Sequence, residues 1–127
     1  MKTPTIASID LAPDEKWAGL IFGENGEPDY HLILLPGAAE NLTWIKATEW
    51  AKDAGGELPT RREQRLLWAN LEAEFERDLY WSSTQHAGLS ACAWFQTFSD
   101  GTQSYSRKGG ELRARAVRRV LIERVKP

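Results

Sequence analysis

Two helical segments stand almost back to back in the middle of a chain whose ends read as strand. That switch of period restricts the architecture more than any other feature. Trp44, Ala47, Ala51 and Ala54 recur at the three-to-four-residue spacing of one helix face, with Trp50 beside them. Asn41 or Thr43 can accept the first free backbone N–H groups, and Gly55-Gly56 supplies the left-handed stop. A few residues later comes Leu58-Pro59-Thr60-Arg61-Arg62-Glu63, in which Thr60 and Glu63 match a capping box. In that motif each side chain satisfies a backbone donor of the other residue. Leu66, Leu67, Asn70 and Leu71 form the inward stripe of this second helix, and the acidic stretch 72–78 reads as a solvated helix end or loop.

The flanks alternate with period two. Trp17–Phe22 and Tyr30–Leu35 form a hairpin across the turn Gly23-Glu24-Asn25-Gly26-Glu27-Pro28, and Pro36-Gly37 stops the second strand. After the helices, Tyr80–Ser83, Ala91–Phe98, Thr102–Ser106 and Arg113–Ile122 read as strands. They are separated by a loop at Thr84–Ser90, a tight turn at Asp100-Gly101 and a polar turn at Arg107–Glu111. Hairpin, two helices, then antiparallel meander indicates an α+β domain with helices packed on antiparallel sheets. Residues 1–15 are less regular, with a short apolar piece at Ile6–Leu11. No repeat or linker divides the 127 residues, so one domain is expected over 1–127.

Composition narrows the function classes. The lone cysteine, Cys92, excludes an intramolecular disulfide and a multi-cysteine zinc site, and is expected as a small core residue. No apolar run approaches the roughly 18 residues of a membrane span, and Met1-Lys2-Thr3-Pro4-Thr5 lacks a signal-like apolar stretch, so no membrane and a cytoplasmic setting are expected. The net charge of −2 hides a skew. Residues 1–60 carry four basic and ten acidic side chains, whereas 107–126 carry eight basic and two acidic. Either the basic tail meets a polyanion, or it folds against the acidic N-terminal half. The near balance of the total favours the second reading, with Arg113, Arg115 and Arg119 sharing a strand face.

Catalytic chemistry has little to work with. His31 sits inside an apolar strand and reads as a half-buried sheet residue; His86 sits in a polar loop, with no Gly-x-Ser-x-Gly turn anywhere. Glu27-Pro28-Asp29 reads as a turn rather than a calcium motif, which needs several converging oxygens. No catalytic residue, metal or cofactor is expected. A positive sheet edge at Arg107–Arg119, with Tyr105 nearby, leaves nucleic-acid or nucleotide binding as an alternative. The acidic pI of about 5.7 and the lack of a reading motif weigh against it.

Four segments occur in a recognisable order: Leu58-Pro59-Thr60-Arg61-Arg62-Glu63, Tyr80-Trp81-Ser82-Ser83, Ala93-Trp94-Phe95 with Phe98 and Gly101, and Ala114-Arg115-Ala116-Val117-Arg118. Over roughly residues 17–122 this resembles the Lcl C-terminal domain family, whose members have a C-type-lectin-like fold. With His31-Leu32-Ile33-Leu34-Leu35-Pro36-Gly37 ahead of the helices, it is similar to short single-domain members from bacteriophages and prophages. The formylglycine-generating enzymes share a related helix start, but their chemistry needs a pair of cysteines.

The resemblance implies a core filled by Trp44, Trp50, Trp68, Trp81 and Trp94, leaving Trp17 unassigned. It implies a structural ion pair from Arg115 or Arg118 to Glu63 or a nearby carboxylate. It places the ligand surface on the loops after the second helix, with Gln85, His86, Gln103, Tyr105, Arg107 and Lys108 as contact residues. The expected role is a non-catalytic recognition module for a protein or glycan, virion-associated or acting on a factor inside the host cell. Oligomeric state is left open.

Overall fold

The computed structural model describes residues 9–122. The expectations for Met1–Thr5, for the start of the Ile6–Leu11 piece and for the cations after residue 122 lie outside that range. The elements are β1 (Lys16–Ile21), β2 (Tyr30–Leu34), β3 (Ala39–Leu42), α1 (Trp44–Asp53), α2 (Arg61–Leu71), β4 (Leu79–Gln85), β5 (Cys92–Thr97), β6 (Gln103–Arg107), β7 (Leu112–Ala114) and β8 (Val117–Leu121), with a 3-10 turn at Glu72–Glu74. The class is α+β. Two helices pack on two sheets, ordered β1-β2-β8 and β3-β7-β4-β5-β6.

Both helix starts follow their local chemistry. The Thr43 hydroxyl accepts from the Lys46 amide, so Thr43 rather than Asn41 caps α1. Asn41 instead sits in β3 with φ +58°, at a register shift against β7. Gly55 (φ +93°) ends the helix in the left-handed region, and Ala54 is an exposed cap residue rather than part of the buried face. The capping box of α2 is complete in both directions. Its buried face differs from the apolar stripe read from the sequence. Glu63, Gln64 and Leu67 are buried, Leu66 and Leu71 only pack at the margin, and Asn70 is exposed with its amide donating to the Ala18 carbonyl.

The expected terminal strand Arg113–Ile122 is two strands in two sheets. β7 pairs with β3 and, in parallel, with β4 through Tyr80 and Arg113. The five-stranded sheet is therefore mixed rather than wholly antiparallel. β8 pairs antiparallel with β2 from Tyr30–Leu121 to Leu34–Val117. Arg115 and Ala116 make the crossing. The buried Arg115 guanidinium donates to the carbonyls of Glu74 and Leu35, and the Ala116 carbonyl accepts from the Leu35 amide.

Two apolar clusters form the core. One lies between the three-stranded sheet and α2. Phe75 and Phe98 stack at 4.0 Å there and Tyr80 meets both edge-on. The other lies under α1, where Ala47 and Ala51 leave room for Trp81, which is fully buried. Losing a buried aromatic of that size costs about 3–5 kcal/mol. Trp44, Trp50 and Trp68 pack at the margins of these clusters. Trp94 does not join them, which corrects its assignment to the core; it stands on the outer part of the sheet. Trp17 donates from its indole nitrogen to Nδ1 of the buried His31.

The charge skew resolves into internal pairing. Arg118 binds Glu15, Arg119 binds Glu57 and Glu63, and Arg113 binds Glu40 and Asp78. The partner of Glu63 is thus Arg119, not Arg115 or Arg118. Among the described residues Arg115 has no carboxylate partner and bonds main-chain carbonyls, while Arg118 leaves β8 on the opposite side from its neighbour Arg119. The Glu63 carboxylate is fully buried and accepts from Arg119 Nε (2.6 Å) and Nη2 (2.9 Å), from the Thr60 amide (2.9 Å) and from the Tyr30 hydroxyl. Burial alone pushes its pKa up, but the donors from Arg119, Tyr30 and Thr60 together hold it below the ordinary value of 4.5. Burial and the Glu63 carboxylate raise the Tyr30 phenol to about 12.

Candidate recognition surface

α2 covers only part of one face of the β4-β5-β6 sheet. Where it stops, side chains from β5, β6 and the loop after β4 are left facing outward. Trp94 and Tyr105 sit directly opposite each other across β5 and β6. Their rings meet edge to face at 5.4 Å. The His86 ring stacks near-parallel to Trp94 at 5.3 Å and meets Tyr105 edge-on at 4.4 Å. His86 Nδ1 also accepts from the Gly88 and Leu89 amides, 3.0 Å each. Those two bonds fold the loop after β4 back towards the sheet, and they need Nδ1 unprotonated.

Arg61, the first residue of α2, completes the cluster. Its guanidinium carbon lies 3.5 Å from the centre of the Trp94 ring. Its Nε donates to the Gln103 side-chain carbonyl at 3.1 Å, and the Gln103 amide group donates back to the Arg61 carbonyl and to Gln96. Gln96 in turn donates to the main chain of Gln64 in the core. A line of amide bonds therefore ties the surface guanidinium to the interior. A guanidinium stacked on an indole keeps its planar fork of N–H donors oriented. Burial, and then the charge of Arg65 one turn along the helix, lower the Arg61 pKa. Among the described residues neither Arg61, Arg65 nor Arg107 has a carboxylate partner.

Of the six residues expected at a ligand surface, His86, Gln103, Tyr105 and Arg107 fall on this face, whereas Gln85 and Lys108 turn to the α1 side of the sheet. Gln85 ends β4 and its side-chain carbonyl accepts from Lys108 Nζ at 2.8 Å; it belongs to a strand, not a loop. Lys108 Nζ lies 4.7 Å from the centre of the Trp44 ring. Tyr105 is 44 % exposed. Arg107 ends β6 and stands opposite Cys92 in the ladder. Both residues help line a cleft of about 490 Å³ with Gly88, Leu89, Ser90 and Ala91. Cys92 is therefore half-exposed on a cleft wall, which corrects its placement as a core residue.

Sequence reasoning missed Arg61 and Trp94 as members of this surface. A signal for Trp94 was present: its face of β5 alternates with Cys92 and Gln96, both polar neighbours, while Ala93 and Phe95 point to the Trp81 cluster. Arg61 was hidden inside the capping motif.

Elsewhere the chemistry is sparse. His31 is buried and its pKa is lowered by that burial. Among the described residues no group of three or more His, Cys, Asp or Glu could hold a metal ion, and no helix is long and apolar enough to cross a membrane. Of the six cations between Arg107 and Arg119, three sit in ion pairs and Arg115 is buried against carbonyls. A scan against protein-family models and a search of curated proteins returned no match to this chain.

Proposed function

We propose that this chain is a non-catalytic recognition module that binds a protein or glycan partner through the face carrying His86, Trp94, Tyr105, Arg61 and Arg107, with Lys108 on the adjoining turn. The observation that carries this reading is the combination of a three-ring cluster, packed edge to face, with guanidinium groups that have no carboxylate partner among the described residues. Tyrosine, tryptophan and arginine held by a rigid frame are effective binding anchors. The order of elements, with the loops after the second helix gathered on this side, supports a relationship to the Lcl C-terminal, C-type-lectin-like domains and the phage-type members among them. Both a virion position and a position inside the host cell fit that relationship. Nucleic-acid binding along Arg107–Arg119 has less support, because most of those cations are already engaged within the fold.

The test compares wild type with an Arg107→Glu/Lys108→Glu variant and with Tyr105→Ala, each immobilised and exposed to host lysate and to a glycan array. Loss of a specific ligand in both variants is expected. Full retention by both refutes the chosen surface. DNA or RNA binding that weakens steeply with salt replaces this reading with the polyanion one.

A further inference from the structure

The face just described ends in an open strand. β6 is the outer strand of the five-stranded sheet, and no strand among the described residues pairs with its far side. Hydrogen-bonded pairs alternate along an antiparallel ladder. At its two ends the Lys108 amide binds the Ala91 carbonyl and the Thr97 amide binds the Thr102 carbonyl, both at 2.8 Å. Ser104 and Ser106 therefore turn their backbone groups towards β5. Gln103, Tyr105 and Arg107 turn theirs outward, and of these only the Arg107 carbonyl is taken, by the Gly110 amide and the Ser106 hydroxyl.

The other edges are blunted. β1 has a register break at Gly19, and its Ala18 carbonyl is held by Asn70. β3 is broken at Asn41. β8 is bridged at Val117 by Glu57. β6 runs in unbroken register with β5 over five pairs and contains no proline, lysine or bulge. Proteins normally guard such an edge against pairing with another chain.

We infer that β6 accepts an extended, acidic segment of a partner protein as a sixth strand. This rests on the recognition reading above and names its partner. The charge argument comes from the side chains on the open face. Gln103, Tyr105 and Arg107 alternate along β6, Arg61 is bonded to Gln103, and among the described residues Arg61 and Arg107 have no carboxylate partner. An added strand presents every second side chain to that face. Acid–x–apolar–x–acid is the complementary pattern, with carboxylates near Arg61 and Arg107 and the apolar residue against Tyr105. Main-chain bonds supply affinity in strand addition and alternate side chains supply specificity.

The full chain is panned against a displayed library of random decapeptides, and the enriched peptide is then titrated by fluorescence anisotropy. Enrichment of the acid–x–apolar–x–acid pattern is expected, with at least tenfold weaker binding when both acids become lysine or when the central residue is N-methylated. Tyr105→Pro removes an outward N–H but none of the β5 bonds, a substitution edge strands tolerate. It should weaken the peptide at least tenfold more than Tyr105→Ala does. If that variant does not fold, the N-methylated peptide still reads the backbone bond. Enrichment without acids, no enrichment, or indifference to N-methylation overturns the inference. So does a dimer seen by sedimentation that Tyr105→Pro abolishes, since a second copy then occupies β6. Binding of an acidic polysaccharide that is lost in Arg107→Glu/Lys108→Glu, with no peptide enriched, leaves the recognition reading standing and removes strand addition. No binding of either kind removes both.

Discussion

Replacing Glu63 by alanine is the most informative perturbation of this fold. The carboxylate is fully buried and joins three separated parts of the chain: the start of α2 through Thr60, β2 through Tyr30 and β8 through Arg119. Its removal leaves the Tyr30 hydroxyl and the Thr60 amide without their acceptor, and Arg119 with only the exposed Glu57. Breaking a buried pair by deleting one partner costs about 3–5 kcal/mol, because the remaining charge is left uncompensated. With an unfolding entropy of about 2.1 cal/mol/K per residue, that is a fall in Tm of roughly 11–19 °C for a chain of this size. Urea unfolding and calorimetry of Glu63→Ala at pH 7 provide the measurement. A double variant, Glu63→Leu/Arg119→Met, should regain part of the loss, since it leaves no orphan charge. The pH dependence has a definite sign. The folded pKa lies below the ordinary 4.5, so the unfolded chain binds the proton more readily. The contribution is therefore whole above pH 4.5 and is lost as the pH falls through the folded value. The gap between wild type and Glu63→Ala should narrow on acidification below 4.5. A loss under about 1 kcal/mol at pH 7, or a gap that widens in acid, refutes this account of the pair.

Other outcomes follow from single contacts. Thr60→Ala removes one half of the capping box and should cost about 1 kcal/mol in urea unfolding, with Ser at that position restoring most of it. Gly101 has φ +81°, and a Cβ there would lie 2.8 Å from the Trp68 ring, so Gly101→Ala should destabilise by about 1–3 kcal/mol; an unchanged denaturation midpoint contradicts that geometry. Burial holds the His31 pKa below 6.5, and its Nδ1 accepts from Trp17, so stability should rise with pH between the folded value and 6.5. An NMR titration midpoint for His31 at or above 6.5 would remove that contribution.

Legibility in the sequence followed the range of the interaction. The capping box at Thr60 and Glu63, the stop at Gly55, the hairpin over residues 16–34 and the turn at Asp100-Gly101 each rest on residues close together in the chain, and all are present. The small strand β3 was missed because Asn41, a good capping residue, carries no strand signal. The expected continuous strand from Arg113 to Ile122 failed at Arg115 and Ala116. Alternating polar and apolar residues continue through that point, and the break is held by distant main-chain groups of Leu35, Glu57 and Glu74. The candidate site was partly legible, since four of the six residues named for it, His86, Gln103, Tyr105 and Arg107, share one face. Trp94 and Arg61 were not, because an aromatic in a strand and an arginine in a helix cap each have an ordinary local explanation.

What the sequence by itself determined is the list of elements and where each begins: caps, turn residues and hydrophobic period act within a few residues and need no partner from elsewhere. What only the tertiary structure decided is which side chains meet. Arg118 and Arg119 are neighbours, yet one binds Glu15 and the other Glu63, 103 and 56 residues away. Alternation along a strand sends adjacent residues to opposite faces, so the choice between them depends on which face packs on α2. Likewise Trp81 is core and Trp94 is surface because Trp81 lies on the face that packs under Ala47 and Ala51 of α1, whereas Trp94 lies on the other face, beside only the first residue of α2. Local chemistry carries no information about where a distant helix stops, and that stopping point is what leaves the aromatic and cationic face of β5 and β6 open.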